Sequence, residues 1–168
     1  MGIWRSFWYL VSNGILWFLV GRVLPKKWFS PSAAPFRPFA FEKDGAFYDR
    51  FGIRFWHKKL PDMSRYLPRL MPKKALEKGF SNGLIRMLQE TCVAEFTHLA
   101  LMITSLKILE WTPLPLGIAL LLIYNLLFNL PFVMIQRYNR PRLSHLSERI
   151  DERRSPVVEV NKSSKNGQ

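Results

Sequence analysis

An uncharged stretch of 22 residues, Leu114 to Ile135, constrains the fold of this chain more than any other feature. At 1.5 Å per residue, a helix of this length reaches about 33 Å, which covers the roughly 30 Å hydrocarbon core of a bilayer. The stretch ends in a basic and aromatic run, Ile135 to His145, whose composition is typical of membrane surfaces. The sequence therefore predicts an integral membrane helix that carries a polar site to the bilayer surface.

Charge is concentrated at the flanks of the apolar runs. The 168 residues carry a net charge of +13 and are 14% aromatic, a composition that nucleic-acid-binding proteins also show. However, 15 of the 25 Lys and Arg residues lie between Arg22 and Arg86, and eight lie between Arg137 and Lys165. This pattern follows the positive-inside rule, with anionic lipid headgroups as the counter-charge. We therefore expect membrane lipid headgroups as partners and no nucleic acid.

Two further apolar runs predict a small helical bundle. Phe7 to Leu24 has the features of an uncleaved anchor, with a signal peptide as the alternative. Val93 to Leu109 contains charged and titratable side chains, so it needs a partner helix to hide them. A proline-rich turn at 110–115 joins it to the uncharged stretch. We predict an all-α integral membrane protein with about three transmembrane helices, two of which form a C-terminal helical hairpin.

Four segments follow from this topology. Residues 1–27 form the anchor, 28–90 an aromatic and basic segment, 91–146 the hairpin with its basic exit motif, and 147–168 a polar, disordered tail. The aromatic spacing of the second segment fits no single helical stripe. Short amphipathic pieces that lie in the headgroup region, with rings towards the lipid, satisfy both its aromatic and its basic content. The rings are also suited to wall an acyl or isoprenoid channel.

Glu95 and His98 are the residues with the clearest potential for chemistry. Three positions apart, they share a helix face, and a titratable group inside a span is costly unless it has a function. A carboxylate can orient a histidine that accepts a proton during acyl transfer. Alternatively, the two side chains bind each other or nearby asparagines and hold the hairpin together. A single cysteine, Cys92, and the absence of a two-histidine spacing predict no metal site.

A second candidate site is the arginine cluster that follows the uncharged stretch. Three arginines within six residues can bind a phosphate or carboxylate, although a generic stop-transfer patch has a similar composition. We expect it to bind substrate together with Asn129 of the hairpin and Trp56 of the aromatic segment. His57 and Asp62 also match the His-x4-Asp pattern of glycerolipid acyltransferases, which we interpret as chance. The predicted substrate-binding residues are Trp56, Asn129, Gln136, Arg137, Tyr138, Asn139, Arg140 and Arg142.

Several blocks resemble the glycosyl-4,4'-diaponeurosporenoate acyltransferases, bacterial membrane enzymes of staphyloxanthin biosynthesis. In order, the blocks begin at Phe39 (F-x-F-E-K-x-G-x-F), Ile53 (I-R-x-W), Glu90 (E-T-x-x-A-E-x-x-H) and Gln136 (Q-R-Y-N-R-P-R-L). The last block is the most specific, and the resemblance covers residues 36–146. It implies a bacterial cell membrane, with the middle segment and the C-terminus cytoplasmic by the charge rule.

The resemblance also implies the reaction. A fatty acyl group would be transferred from a thioester donor to a sugar hydroxyl of a glycosylated C30 carotenoid acid, without another cofactor. Our hypothesis makes His98 the base, Glu95 its orienting group, and the arginines the donor or oxyanion site. Two alternatives remain: an acyltransferase for another glycolipid, and a non-catalytic membrane subunit that binds lipid or a partner.

Overall fold

The structure is a computed structural model that describes residues 2–56 and 80–165, with side chains described over 2–56 and 83–149. Within those ranges the chain is helical and contains no strand. The His57 to Asp62 pattern and much of the predicted 28–90 segment lie outside the described residues. The helices are α1 (Gly2–Val23), α2 (Ala46–Asp49), α3 (Ile53–Trp56), α4 (Phe80–Ser105), α5 (Leu114–Ile123) and α6 (Leu130–Lys165).

The predicted C-terminal hairpin is present. Helix α4 continues as a 3₁₀ turn, Leu106–Glu110, and the chain then reverses before α5, with Pro115 in the first turn of that helix. Proline is well tolerated there because the first amide groups of a helix have no intrahelical partner. A π-helical turn, Tyr124–Asn129, joins α5 to α6 without a break in the helix.

Two stretches of the described chain are long and apolar enough to cross a membrane: Gly83–Glu110 and Leu114–Arg149. They correspond to the two arms of the hairpin. Helix α1 is 22 residues long but is not one of them, because its polar and indole side chains lower its mean hydropathy. The all-helical membrane architecture is thus supported, whereas the predicted count of three spans is not confirmed.

Helix α1 packs along α4 through polar contacts that converge on Thr104. Its Tyr9 hydroxyl donates to the Thr104 carbonyl at 2.9 Å, and Asn13 Nδ2 donates to Thr104 Oγ1 at 2.8 Å. Gly21 allows the close approach at the other end of α1, since a Cβ there would lie 2.7 Å from Thr97 Cγ2. Side-chain hydrogen bonds between apolar helices stabilise such pairs in lipid.

The aromatic segment folds into short helical pieces that dock on the hairpin. A 3₁₀ turn, Ala40–Gly45, leads into α2 and α3, and Tyr48 and Ile53 pack against Tyr138 of α6. Gly45 has φ +88° and lies so close to α6 that a Cβ would be 3.1 Å from the Tyr138 carbonyl oxygen. Only glycine accommodates both this backbone conformation and this approach without strain.

The C-terminal boundary differs from the prediction. Residues 147–168 were predicted as a disordered tail, whereas the α6 backbone continues as helix to Lys165. Residues 166–168 lie outside the described range.

Candidate active site

Four charged side chains form a buried cluster where the aromatic segment meets α4 and α6. Glu42, Glu95 and Arg140 are at most 2% exposed, and the Arg137 side chain is 10% exposed. Acidic and basic groups alternate along a chain of ion pairs. Glu42 pairs with Arg137, Arg137 also pairs with Glu95, and Glu95 also pairs with Arg140. The two positive and two negative charges balance, which is what burial of charge requires.

Arg140 is bound almost completely by the protein itself. Its Nε donates to Thr91 Oγ1 at 3.0 Å, and its Nη1 donates to the Phe36 carbonyl at 2.6 Å. Its Nη2 donates to the Thr91 carbonyl and to Glu95 Oε2. A guanidinium carries five N–H bonds, and four of them are used here. Arg140 therefore joins the aromatic segment to α4 and has little capacity left for a substrate.

Arg137 is less fully bound. Its Nε donates to Glu95 Oε1 and its Nη1 to Glu42 Oε1, both at 2.7 Å, while its Nη2 donates to the Pro35 carbonyl at 2.8 Å. Its guanidinium also lies over the Phe39 ring at 4.6 Å. Two of its five N–H bonds are left for a ligand, so Arg137 is the arginine of the pair that can still bind an anionic group.

Local structure explains why these groups converge. Arg137 and Arg140 share one face of α6, and Thr91 and Glu95 share one face of α4, because positions three and four apart are neighbours on a helix. Glu42 accepts from its own turn, at the Phe39 amide, and from the Tyr48 hydroxyl at 2.6 Å. Burial, followed by the hydrogen bond to Glu42, raises the pKa of Tyr48, so its hydroxyl stays protonated as a donor.

His98 lies one helical turn deeper than the charged cluster and binds a different partner. Its Nδ1 is 3.2 Å from Asn129 Oδ1, and its ring stacks on Phe132 with centroids 4.8 Å apart. Asn129 is 1% exposed, whereas the His98 ring is only partly buried. Within this pair, Asn129 is therefore enclosed by the protein, whereas part of the His98 ring is accessible.

The tautomer of His98 follows from the contacts of Asn129. Asn129 Nδ2 is 3.3 Å from the Tyr124 carbonyl oxygen, which can only accept, so the amide nitrogen must face that side. Its Oδ1 then faces His98, and because this oxygen also only accepts, Nδ1 must carry the hydrogen. In the neutral ring the lone pair is consequently on Nε2. This is the arrangement that a histidine base needs.

The π-helical turn builds this arrangement. Both the Tyr124 carbonyl and Asn125 Oδ1 accept from Asn129 Nδ2, and Asn125 in turn donates to Ser105 Oγ of α4 at 3.4 Å. Residues of a π turn are frequent at functional sites because they place side chains off the regular α-helical register.

The predicted pairing of Glu95 with His98 is corrected by these contacts. Both Glu95 oxygens bind arginines, and Asn129, not Glu95, binds His98. The His98–Asn129 contact is instead the one expected in the alternative interpretation, in which a nearby asparagine helps to hold the hairpin together.

The other predicted binding residues lie around the cluster without joining it. Tyr138 packs against Tyr48 and Ile53, and Arg142 lies over the Tyr138 ring at 3.6 Å and donates to the Tyr138 carbonyl. Trp56 donates to the Phe51 carbonyl at 2.9 Å, on the outer side of the same apolar contact. Gln136 and Asn139 are half-buried on α6. Substrate binding by these residues stays a prediction.

Glu42, Tyr48 and Thr91 are site residues that the sequence did not assign to the site. Glu42 is one of only three acidic residues between Arg22 and Trp56, a segment with seven Lys and Arg. An isolated carboxylate among aromatic residues was the available signal for a buried ion pair, but its partner, 95 positions away, had none. Within the described residues, no group of three His, Cys, Asp or Glu side chains could hold a metal ion.

Comparison with known proteins shows the family to which the chain belongs. The family model for glycosyl-4,4'-diaponeurosporenoate acyltransferase matches residues 25–149, which include the charged cluster and the His98–Asn129 pair. The chain belongs to this family. Its resemblance to that family is thereby confirmed, and the family name indicates an acyltransferase. No solved structure matches the chain.

Curated relatives agree with the family match. A glycosyl-4,4'-diaponeurosporenoate acyltransferase of Staphylococcus aureus (strain bovine RF122 / ET3-1) is 31% identical over 142 residues, which are 83% of each chain. Proteins of the same name from strains USA300 and NCTC 8325 of that species are 30% identical over the same lengths. The similarity thus extends over nearly the whole fold, including both arms of the hairpin.

Proposed function

We propose that this protein transfers a fatty acyl group to a sugar hydroxyl of a glycosylated carotenoid acid, with His98 as the general base. The names of the family and of its relatives support the acceptor class. The observation that carries the role of His98 is its hydrogen bond to Asn129, which leaves the lone pair on Nε2. Among the described contacts, the His98 side chain hydrogen-bonds to Asn129 and forms no ion pair.

In the proposed step, His98 Nε2 accepts the proton of the acceptor hydroxyl while the hydroxyl oxygen attacks the carbonyl carbon of an acyl thioester. A C–O bond forms, and the tetrahedral intermediate then breaks its C–S bond. The imidazolium returns its proton to the departing sulfur, so a free thiol and an ester leave the site and neutral His98 is restored. Asn129 accepts from Nδ1 throughout and stabilises the transient cation.

Arg137 is proposed to bind the anionic part of the acyl donor. It is the cluster arginine with two N–H bonds left, and its contacts with Phe39 and Pro35 lie at the edge of the cluster. His98 follows Glu95 by three residues, about 4.5 Å further along α4. A donor with a charged head and an acyl chain would thus place its carbonyl between the charged cluster and the bilayer interior.

The location is part of the proposal. We infer a multi-pass protein of the bacterial cell membrane, with α1 as a third span beside the hairpin and with the aromatic segment and C-terminus in the cytoplasm. The basic residues that flank the spans on that side support this orientation. Its acyl donor and its lipid-linked acceptor would then meet at the cytoplasmic surface.

The test is production of the protein in cells that supply a glycosylated C30 carotenoid acid, with mass spectrometry of the lipid extract. We expect an acceptor species heavier by one acyl group. His98→Ala should lower its amount about 10²–10⁴-fold, the usual contribution of a general base, at unchanged protein level. His145→Ala is the matched control, because His145 is exposed and pairs only with Glu148 in the described chain.

Two results would contradict the proposal in different ways. Full activity of His98→Ala would remove His98 from the mechanism but leave the acyltransferase assignment intact. An acyl-shifted glycolipid with no carotenoid backbone would keep the reaction and replace the acceptor.

A further inference from the structure

The aromatic segment exposes a group of phenylalanine rings over much of its surface. Its exposed members are Phe39, Phe41, Phe51 and Phe55, which are 50%, 56%, 55% and 80% exposed, and its fifth ring, Phe47, is half-buried. Phe39 stacks on Phe41 with centroids 5.5 Å apart, and Phe47 bridges Phe41 to Phe51 at 5.3 and 5.5 Å. We call these five rings the phenylalanine surface. Contiguous exposed apolar side chains of this kind mark an interaction site.

The level of this surface along the hairpin can be measured from the contacts of its segment. The segment packs on α6 between Met134 and Arg140, which follow Leu114 by 20 to 26 residues. At 1.5 Å per residue that separation is about 30–39 Å. Since the hydrocarbon core is about 30 Å thick, the segment lies one hydrocarbon thickness away from the 110–115 turn. If that turn lies at one bilayer surface, the phenylalanine surface lies at the other.

Exposed charge on and next to the same segment is mostly positive. Its carboxylates Glu42 and Asp49 are paired, with Arg137 and Arg54 respectively, and Asp44 is its one exposed carboxylate among the described residues. In contrast, Lys27, Arg37, Lys43 and Arg50 are exposed, and no carboxylate in the described part of the chain pairs with them. Cations next to exposed aromatic rings are the composition of a segment that lies in an anionic headgroup layer.

We propose that the phenylalanine surface docks into the headgroup layer of an anionic lipid leaflet, with its rings at the acyl boundary and the four unpaired cations on lipid phosphates. The occupant is therefore the membrane itself. The docking holds the charged cluster at the interface, because Arg137 lies over Phe39 and Arg140 binds the Phe36 carbonyl. This proposal does not depend on the reaction or on the identity of the acceptor.

Depth measurement with single cysteine probes tests the proposal. Cys92 is the only cysteine and is fully buried, so an introduced cysteine is the accessible thiol. Phe41→Cys and Phe55→Cys would each carry an environment-sensitive fluorophore in nanodiscs of phosphatidylcholine and phosphatidylglycerol, with spin-labelled lipids as quenchers. Arg50→Cys is the matched control, because it is exposed on the same segment and its side chain is expected among the headgroups.

We expect blue-shifted emission at 41 and 55 and quenching at least about twofold stronger than at 50, as for rings below the headgroups. Replacement of phosphatidylglycerol by phosphatidylcholine should weaken that quenching. Equal quenching at all three positions would overturn the docking, and no response to lipid charge would overturn the anionic leaflet as partner. Quenching that appears only after acceptor lipid is added would instead assign the surface to the acceptor. Two independent probe positions keep the test valid if one variant does not fold.

Discussion

Two polar regions lie a few ångströms apart in this hairpin and differ in how fully they are satisfied. The charged cluster is buried in the protein near the bilayer surface, and most of its hydrogen-bonding groups bind one another or the backbone. Arg140, for example, uses four of its five N–H bonds in this way. The His98–Asn129 pair uses one ring nitrogen and, in the proposed reaction, leaves the other for a reactant. Charge alone is therefore a poor guide to the proposed reactive site, because most groups of the charged cluster bind one another.

The strongest test of this contrast is removal of the carboxylate that links both arginines. Glu95→Ala should lower the free energy of unfolding by about 3–5 kcal/mol, because it leaves two guanidinium groups buried without their shared partner. Thermal unfolding in detergent, together with the level of folded protein, measures this effect.

Glu148→Ala is the matched control for that variant, since Glu148 is exposed and should tolerate the same change. If Glu95→Ala folded as the parent protein does and lost only its activity, Glu95 would belong to the reaction and the contrast would fail.

A smaller effect of the same kind is expected at Tyr48. Tyr48→Phe deletes the hydroxyl that donates to Glu42 at 2.6 Å but keeps the ring packed against Ile53 and Tyr138. Loss of a hydrogen bond to a charged group costs about 1.5–3 kcal/mol. Unfolding should shift by that amount while the turnover of the folded fraction stays the same. A loss of turnover at unchanged stability would contradict a supporting role for this side of the cluster.

On the reactive side of the comparison, Asn129→Ala should act on rate more than on stability. Without Oδ1, nothing in the described contacts keeps the hydrogen on Nδ1, and the ring can adopt the other tautomer. We expect about a tenfold loss of turnover, the equivalent of one hydrogen bond at 1.4 kcal/mol per decade. Asn129→Asp retains the acceptor for Nδ1 but loses the donor to the Tyr124 carbonyl, so it should be less stable than Asn129→Ala and yet more active per folded molecule. Equal turnover of the two variants per folded molecule would show that the amide only fills space.

The smallest effect concerns Asp49, which forms a solvent-accessible ion pair with Arg54 at 2.6 Å. The hydrogen bonds from Arg54 lower the pKa of Asp49, so any stability from this pair is present above the unfolded pKa of about 3.9 and is lost as the pH falls through the folded value. Because such exposed pairs contribute little, Asp49→Asn should lower the melting temperature only slightly, and by the same amount at every pH between 5 and 8. A clear shift in that range would indicate a coupling of Asp49 to the buried cluster.

The helical architecture was predictable because its signals are local. Apolar runs with basic ends predicted α1 and both arms of the hairpin, and the proline-rich turn predicted the connection between the two arms. The partners of the site were not predictable in the same way. Asn129 was expected to bind substrate, and Glu95 was expected to orient His98 three positions away. Only the alternative interpretation connected His98 with a nearby asparagine.

Geometry beyond sequence spacing explains these differences. The π-helical turn moves Asn129 towards His98, and nothing in the run Y-N-L-L-F-N marks such a turn. Likewise, Glu42 meets Arg137 only because the aromatic segment folds back over the end of α6. Long-range contacts of this kind depend on the tertiary path of the chain, which periodicity does not encode.

The alternating cluster also has a consequence for the order of assembly during synthesis. Glu95 precedes Arg137 by 42 residues, which at about 5–20 residues per second is a delay of roughly 2–8 s. During this interval α4 carries the Glu95 carboxylate near the bilayer surface without its later arginine partners. Insertion of the hairpin as a unit, with α4 held in the translocation machinery until α6 emerges, would avoid that exposure. The ion pairs that stabilise the folded protein would therefore also determine when α4 enters the lipid, namely after α6 has been synthesised.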